Sequence, residues 1–243
     1  MDNETQNQKR DYLLPVSIVI AGLLIAGAWV YSTGLKYGKI EPGQLTGQVA
    51  EKISPAEENN FKLPDSEDHI LGSLDAPVKI VEYSDLECPF CKTFQQTMRR
   101  MMSEYGKDGK VAWIYRHYPL EQLHPKAKQS AIASECAGEL GGNEKFWAYI
   151  DKYYEITPAN NEIDLAELPR IAKEIGLDQS RFETCLNSGK YGQKIEDSIK
   201  DALAAGAQCT PYSLIITKDG AKVPISGAQP YENVKFLLEQ VLR

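Results

Sequence analysis

The most pronounced hydrophobic pattern in the chain is an apolar run near the N-terminus, YLLPVSIVIAGLLIAGAWVY, from Tyr12 to Tyr31. About 20 uncharged residues suffice for a helix to cross a hydrocarbon core roughly 30 Å thick. The run therefore predicts a single transmembrane anchor over residues 12–31, preceded by a short cytoplasmic tail over residues 1–11. A cleaved signal peptide is the alternative, because Ala26-Gly27-Ala28 fits a small-x-small cleavage pattern. The apolar run continues past that tripeptide, which favours the uncleaved anchor.

A polar segment rich in glycine and proline, residues 32–66, follows the apolar run. Such a composition is typical of a flexible linker. The remaining residues, 67–243, show strand-like and helix-like patterns in turn, and they are predicted to form one folded domain.

Within this domain, short runs of β-branched and aromatic residues bounded by glycine and proline predict four strands. The runs lie at 78–84, 111–118, 212–217 and 223–225. Apolar residues at helical spacing predict a helix after the first strand, a helical insert over about 123–205 and a closing helix over 231–242. The order β-α-β, helical insert, β-β-α predicts an α/β fold in which helices cover a small sheet.

Composition narrows the function classes. The chain has 243 residues and a net charge of −7, whereas a sequence-independent nucleic-acid binder needs a basic surface that displaces counterions. No nucleic-acid partner is therefore expected.

The five cysteines permit two disulfides and a spare thiol, or no disulfide at all. The predicted export segment favours an oxidising compartment, in which disulfides persist.

The motif Cys88-Pro89-Phe90-Cys91 lies between the first predicted strand and the helix that follows it. Proline favours the first helical position, so Cys88 is predicted to be the N-cap residue. Its sulfur would face unpaired N–H groups and the positive end of the helix dipole, which stabilise a thiolate. Cys91 lies one turn later on the apolar stripe and is predicted to point inward. An exposed, activated Cys88 and a shielded Cys91 suit disulfide exchange, with Cys91 resolving the mixed disulfide.

Two other interpretations of the motif are weaker. A zinc site would need a second cysteine pair or paired histidines at ligand spacing, and His69, His117 and His124 are scattered. A purely structural disulfide would occupy a strained place at the start of a helix. No metal and no cofactor is therefore predicted.

An acidic residue, Glu82, interrupts the apolar pattern of the first predicted strand. An unpaired carboxylate is costly to bury, so its presence suggests a role. A buried acid close to the dithiol could carry the proton when Cys91 changes state. The alternative is a strand-end carboxylate that reaches solvent or a lysine such as Lys79 or Lys110.

With these features in place, the chain resembles the DsbA-like branch of the thioredoxin fold over residues 68–242. The segments that carry the resemblance are DHILGSLDAPVKIVEYSDLECPFC, RHYPLEQLHPKA, ASECAGELGGNEKFWAYIDKYY, RFETCLNSGKY and CTPYSLII. It implies a thioredoxin fold with an inserted helical subdomain, here preceded by the predicted transmembrane helix. It also implies that Thr210-Pro211 is the cis-proline loop beside the active-site cysteines and that Glu82 is the buried acid.

The resemblance includes members with a cysteine pair in the insert, which implies a structural disulfide between Cys136 and Cys185. Each of these cysteines shares a helical face with apolar residues, so both sulfurs are predicted to point into packing. Two buried free thiols are the alternative.

If both the Cys88–Cys91 and the Cys136–Cys185 pairs form, Cys209 is left as a free thiol. Its position two residues before the proline predicts contact with the active-site pair, and an inert buried thiol is the alternative to a redox role.

The sequence departs from the family pattern at two positions. Phe90 stands where the strongest oxidants carry a histidine between the cysteines, so one thiolate-stabilising group is absent. Cys209 stands where family members often carry a small residue, which brings a third sulfur towards the site.

These features predict an extracytoplasmic thiol:disulfide oxidoreductase, single-pass in the cell membrane, that introduces disulfides into unfolded or reduced exported proteins. The resemblance implies reoxidation by a quinone-linked membrane partner, either DsbB-like or vitamin K epoxide reductase-like. A disulfide reductase or isomerase on the same fold is the second interpretation. A non-redox module that binds client proteins is the third.

Overall fold

The computed structural model describes residues 61–243 of the chain. The predicted anchor over residues 12–31 and most of the predicted linker lie outside this part. Among residues 61–243, no helix combines the length and apolar composition that a membrane span requires.

A mixed sheet of five strands forms the centre of the described domain. Its strands are β1 (His69–Leu71), β2 (Val78–Ser84), β3 (Val111–His117), β4 (Tyr212–Ile216) and β5 (Lys222–Ser226). Their order across the sheet is β1-β3-β2-β4-β5. β2 and β3 pair in parallel, whereas the β1–β3, β2–β4 and β4–β5 pairs are antiparallel. β2 therefore lies in the middle of the sheet, and the C-x-x-C follows its C-terminal end.

Helices connect and cover these strands. They are α1 (Pro89–Met101), which continues into a π-helical turn (Met102–Gly106), α2 (Ala127–Ile156), α3 (Glu167–Glu174), α4 (Gln179–Asn187), α5 (Gly192–Ala204) and α6 (Tyr231–Val241). α1 and the turn after it supply the crossover that a parallel strand pair requires. α2 to α5 form the insert between β3 and β4. The order of elements confirms the predicted α/β architecture with a helical insert.

Apolar side chains cover both faces of the sheet. On one face, Trp113 of β3 belongs to the same cluster as Phe94 of α1 and Phe146 of α2. On the opposite face, Val81 of β2 belongs to a second cluster with Ala202 of α5. Burial on both faces explains why β2 reads as a nearly continuous apolar run rather than as an alternating pattern.

The long helix α2 contains two consecutive glycines, Gly141 and Gly142. The backbone is non-helical at Gly142, whose φ of 73° is one that glycine adopts readily, so α2 consists of two helical segments that meet there. After this break, Phe146 and Trp147 are buried in the core. The glycines therefore end the first segment and set the direction of the second.

The N-terminal boundary of the domain also differs from the sequence expectation. Phe61, within the predicted linker, is only 6% exposed and belongs to the second core cluster. The carbonyl of Lys62 accepts a hydrogen bond of 2.6 Å from Arg116. The strand β1, which was not predicted, pairs with β3 over only three residues. A strand of three residues is too short to show an alternating pattern in the sequence. Its conformation is decided by its pairing with β3.

Candidate active site

The two cysteines of the C-x-x-C lie at the start of α1, directly after the C-terminal end of β2. Cys88 is the N-cap residue, with an extended backbone (φ −76°, ψ 123°), and a proline follows in the first helical turn. The Cys88 carbonyl accepts the N–H of Lys92 at 3.1 Å. The Cys88 sulfur therefore faces unpaired N–H groups at the helix start, as the sequence predicts.

The prediction that Cys88 is exposed is wrong, since only 4% of the residue is accessible to solvent. The loop before β4 covers it, and the Cys88 thiol donates a hydrogen bond of 3.5 Å to the carbonyl oxygen of Thr210. The peptide bond between Thr210 and Pro211 is cis. Phe90, between the two cysteines, is 64% exposed. A substrate that reaches the Cys88 sulfur therefore also meets the Thr210 loop and the Phe90 ring.

The surroundings of Cys88 stabilise its thiolate. A hydrogen bond from the Cys91 thiol is the main cause that lowers the pKa of Cys88, to about 6, and partial burial opposes it. The backbone N–H groups of Cys91 and Phe90 and the side chain of Thr210 act in the same direction. The Thr210 hydroxyl has no hydrogen-bond partner among the described residues, so it is free to donate to a Cys88 thiolate. At neutral pH, Cys88 is therefore mostly a thiolate.

Cys91 has the opposite character. It is completely buried, and this burial raises the pKa of its thiol well above the usual value, with Cys88 and Glu82 adding to the increase. The backbone N–H of Asp85 donates to the Cys91 sulfur at 3.4 Å and partly offsets that increase. The reduced site therefore pairs an ionised Cys88 with a protonated Cys91.

Glu82 lies on β2 and is completely buried. Burial raises the pKa of its carboxyl to about 7, although the Ser84 hydroxyl and the Trp113 indole N–H oppose the increase. Trp113 Nε1 donates to Glu82 Oε2 at 2.9 Å, and Oε1 has no partner in the part of the chain that the structure describes. The alternative of a solvent-reaching carboxylate is thus wrong for this residue. A carboxyl with this pKa can give up or accept a proton near neutral pH.

The two lysines proposed as partners of Glu82 interact elsewhere. Lys79 Nζ donates to the carbonyl oxygen of Ala76 at 3.0 Å. Lys110 Nζ lies 3.5 Å from the carboxylate of Asp108. Neither lysine therefore pairs with Glu82, and its carboxyl accepts a hydrogen bond from the Trp113 indole instead.

Cys136 and Cys185 form a disulfide that joins α2 to α4, with 5.8 Å between their Cα atoms. The bond lies within the helical insert and closes a segment of 49 residues.

Cys209 is a free, partly buried thiol. Its sulfur lies 3.7 Å from Ser226 Oγ on β5. Among the described residues it makes no hydrogen-bond contact with the active-site sulfurs, so the structure does not place it in the predicted contact.

A buried acid directly before the motif was not predicted from the sequence. Glu87 is completely inaccessible, and its Oε1 accepts hydrogen bonds from the Tyr153 hydroxyl and, at 3.3 Å, from Thr157 Oγ1. Its carbonyl accepts the backbone N–H of Asn160 at 2.7 Å. An acid adjacent to Cys88 is visible in the sequence, but its partners lie more than 60 residues away in the insert.

A second buried acid that was not predicted, Asp85, directly follows β2. Its Oδ2 lies 2.8 Å from His124 Nδ1. The sequence separation of 39 residues hides this pair from any local pattern. From the sequence, His124 was considered only as one of three scattered histidines, and no partner was predicted for it.

A thioredoxin family model matches residues 65–240. Among solved structures, DsbA2 of Pseudomonas aeruginosa is 28% identical, with a TM-score of 0.60, over 74% of this chain and 96% of that one. Alpha-DsbA1 of Wolbachia pipientis is 25% identical, with a TM-score of 0.66, over 76% and 96%. BdbD of Bacillus subtilis, in its oxidised form, is 21% identical with a TM-score of 0.65, over 75% and 97%, and shows the fold alone.

Curated relatives include transporters that are much longer than this chain. A Na(+)/H(+) antiporter NhaA 1 of Mycolicibacterium vanbaalenii is 32% identical over 171 residues, which make up 68% of this chain and 26% of that protein. A protein of the same name from Mycolicibacterium gilvum is 31% identical over 170 residues, with the same shares. The chain thus spans about a quarter of the length of these relatives. The match indicates a shared domain, and antiport belongs to those proteins.

Proposed function

The chain belongs to the thioredoxin family as a DsbA-like protein-disulfide oxidoreductase, and on that premise we propose that it is an extracytoplasmic oxidase that donates its Cys88–Cys91 disulfide to exported proteins. The observation that carries the proposal is the difference in acidity between the two thiols. The pKa of Cys88 is lowered to about 6, whereas that of Cys91 is raised well above its usual value. A stable Cys88 thiolate favours the reduced site, and this makes the disulfide oxidising.

Oxidation of a substrate begins when a substrate thiolate attacks the Cys88 sulfur. The Cys88–Cys91 bond breaks, a mixed disulfide forms on Cys88, and Cys91 leaves as a thiolate. Glu82, with a pKa raised to about 7, supplies the proton that converts the Cys91 thiolate to its favoured thiol. A second substrate thiolate then attacks the substrate sulfur of the mixed disulfide and releases Cys88 as a thiolate. Two electrons pass from the substrate to the Cys88–Cys91 pair.

Reoxidation returns those two electrons to an acceptor. We assign this step to a quinone-linked membrane protein, DsbB-like or vitamin K epoxide reductase-like. The Cys88 thiolate would attack a disulfide of this partner, which forms a mixed disulfide and releases one partner thiolate. Cys91, once deprotonated, would then attack Cys88, which re-forms the Cys88–Cys91 disulfide and leaves the partner with two reduced cysteines. The predicted anchor over residues 12–31 supports this assignment, because it would hold the domain at the membrane surface that such a partner occupies.

A reductase or isomerase is the second candidate, and one observation favours it. The side chain of Phe90 carries no hydrogen-bond donor and is largely exposed. This side chain therefore adds nothing to the thiolate stabilisation that the backbone of the helix start provides. A less stabilised thiolate gives a less oxidising disulfide. The two candidates therefore differ in the reduction potential of one and the same site.

The test uses the full-length chain, oxidised beforehand, and a reduced client protein with several thiols. We expect each active-site disulfide to yield one client disulfide, and Cys88→Ser to yield none. Cys209→Ser, which removes a free thiol outside the motif, serves as the matched control and should equal the parent. Absence of transfer by the parent, or equal transfer by Cys88→Ser, would refute the proposal. Net reduction of client disulfides in a glutathione buffer would favour the reductase.

A further inference from the structure

Asp85 touches both active-site cysteines through its backbone. Its N–H donates to the Cys91 sulfur at 3.4 Å, and its carbonyl accepts the N–H of Cys88 at 3.1 Å. The same carbonyl lies 3.4 Å from the Tyr154 hydroxyl. The orientation of this one residue therefore affects the placement of both sulfurs.

The carboxylate of Asp85 fixes that orientation. Its Oδ1 accepts the N–H of Glu87 at 2.8 Å. Its Oδ2 accepts the N–H of Leu120 at 2.8 Å and faces His124 Nδ1 at 2.8 Å. With its ring proton on Nδ1, His124 donates to this carboxyl oxygen. His124, in the segment that precedes α2, is thus the side chain that holds the Asp85 carboxylate in place.

The segment that carries His124 is itself held in place. The carbonyl of Leu123 accepts the side-chain N–H of Asn161 at 2.8 Å. The adjacent Asn160 donates its backbone N–H to the carbonyl of Glu87. Ala159, Asn160 and Asn161 all have positive φ, between 52° and 66°, a strained conformation that persists only when the surroundings impose it. The segment before α2 and the loop after α2 therefore both contact the active-site turn.

We propose that His124 is a positioning residue for the dithiol and acts through Asp85. His124 keeps the Asp85 peptide where its N–H stabilises the Cys91 sulfur, which carries negative charge in the step that releases it. This role rests on the proposed disulfide exchange. It makes the helical insert part of the redox site and not only a cover for the sheet.

Loss of the His124 hydrogen bond has a defined chemical consequence. A looser Asp85 N–H stabilises the Cys91 thiolate less, and this thiolate is the group that leaves when the disulfide opens and the group that attacks when the mixed disulfide is resolved. A hydrogen bond to a charged group contributes on the order of 1.5–3 kcal/mol, and loosening removes part of it. We expect the rates of both steps to fall about threefold to tenfold. The equilibrium constant for reduction by glutathione should stay the same, because Cys91 is protonated in the reduced site.

The experiment compares His124→Leu, which fills the space without a donor, with His124→Asn, which retains an N–H near the position of Nδ1. The control is His69→Leu, because His69 also pairs with a buried carboxylate, Glu135, at 3.0 Å, but does not contact Asp85. On the full-length chain, the rate at which glutathione opens the Cys88–Cys91 disulfide and the rate at which the Cys88 mixed disulfide is resolved are measured, and equilibration with glutathione is followed in parallel.

We expect His124→Leu to slow both steps at an unchanged equilibrium constant, His124→Asn to restore the rates in large part, and His69→Leu to match the parent. If His124→Leu does not fold, Asp85→Asn replaces it, since a carboxamide offers one oxygen to three donors. Parental rates in the variant that folds would overturn the role of His124. A parent without Cys88-dependent exchange would instead overturn the proposed function, so the two failures are distinguishable.

Discussion

The indole N–H of Trp113 donates a 2.9 Å hydrogen bond to the buried carboxyl of Glu82. Strand register explains the contact, because Trp113 lies opposite Ile80, two residues before Glu82 on β2. A diagonal pair of this kind is within reach of a long aromatic side chain. Among residues 61–243, no cation pairs with this buried acid, and burial raises its pKa to about 7.

The first prediction concerns stability against pH in Glu82→Gln, compared with the parent in the oxidised state, in which Cys88 and Cys91 do not titrate. The folded-state pKa of Glu82 exceeds its ordinary value of 4.5. The stability that its protonated form contributes is therefore fully present below pH 4.5 and is lost as the pH rises through about 7. Relative to Glu82→Gln, the free energy of unfolding of the parent should fall by about 3 kcal/mol between pH 4 and pH 8.

Denaturant unfolding of both proteins across this pH range measures the difference. Lys79→Gln provides a control, since it changes a charge on the same strand without touching Glu82. A gap between parent and Glu82→Gln that does not vary with pH would show that Glu82 is not a buried acid with a raised pKa.

The second prediction concerns the acidity of Cys88. Thiolate absorbance should titrate with a midpoint of about 6 in the reduced parent. Because the Cys91 thiol is the main group that lowers this pKa, Cys91→Ala should raise the midpoint by about 1 pH unit or more. Cys91→Ser keeps a hydroxyl donor and should stay close to the parent. A midpoint above 8 in all three proteins would remove the helix-start argument.

The third prediction isolates the side chain of Thr210. Its hydroxyl helps to lower the pKa of Cys88, so Thr210→Val, which keeps the shape and removes the donor, should raise that pKa by about 1 pH unit. Thr210→Ser retains the hydroxyl and should not. The same absorbance titration decides between them, and equal midpoints for valine and serine would assign the effect to the backbone of the loop.

The fourth prediction concerns the disulfide between Cys136 and Cys185. In the chain-entropy model, a closed loop of about 50 residues contributes on the order of 4 kcal/mol. The double variant Cys136→Ala/Cys185→Ala should therefore lose roughly this free energy of unfolding, whereas Cys209→Ala, which removes a free thiol, should lose much less. Peptide mapping without reductant checks the pairing. Alkylation of both Cys136 and Cys185 under those conditions would contradict it.

Local features of this site could be predicted from the sequence. A strand, the C-P-F-C and a helix in immediate succession place Cys88 at the N-cap and Cys91 on the inner face, because each position depends only on neighbours in the chain. An acid inside an apolar strand likewise indicated a buried Glu82. These residues lie where short-range rules of helix starts and strand burial apply.

Features that depend on distant contacts could not be predicted. Cys88 is buried because Thr210, 122 residues later, lies over it. The Asp85–His124 pair requires the insert to fold back on the turn after β2. The side chain of Cys209 is directed towards Ser226 on β5, which position in the chain alone does not specify. In each case, tertiary packing decides the outcome.

The reduction potential of the Cys88–Cys91 pair, measured by equilibrating the full-length chain with glutathione, tests the central claim most directly. Stabilisation of the Cys88 thiolate predicts an oxidising couple, with a potential nearer to about −120 mV than to about −270 mV. Cys88→Ser should show no such equilibrium. A potential at or below about −270 mV, in the range of thioredoxin, would contradict the assignment as an oxidase and favour a reductase on the same fold.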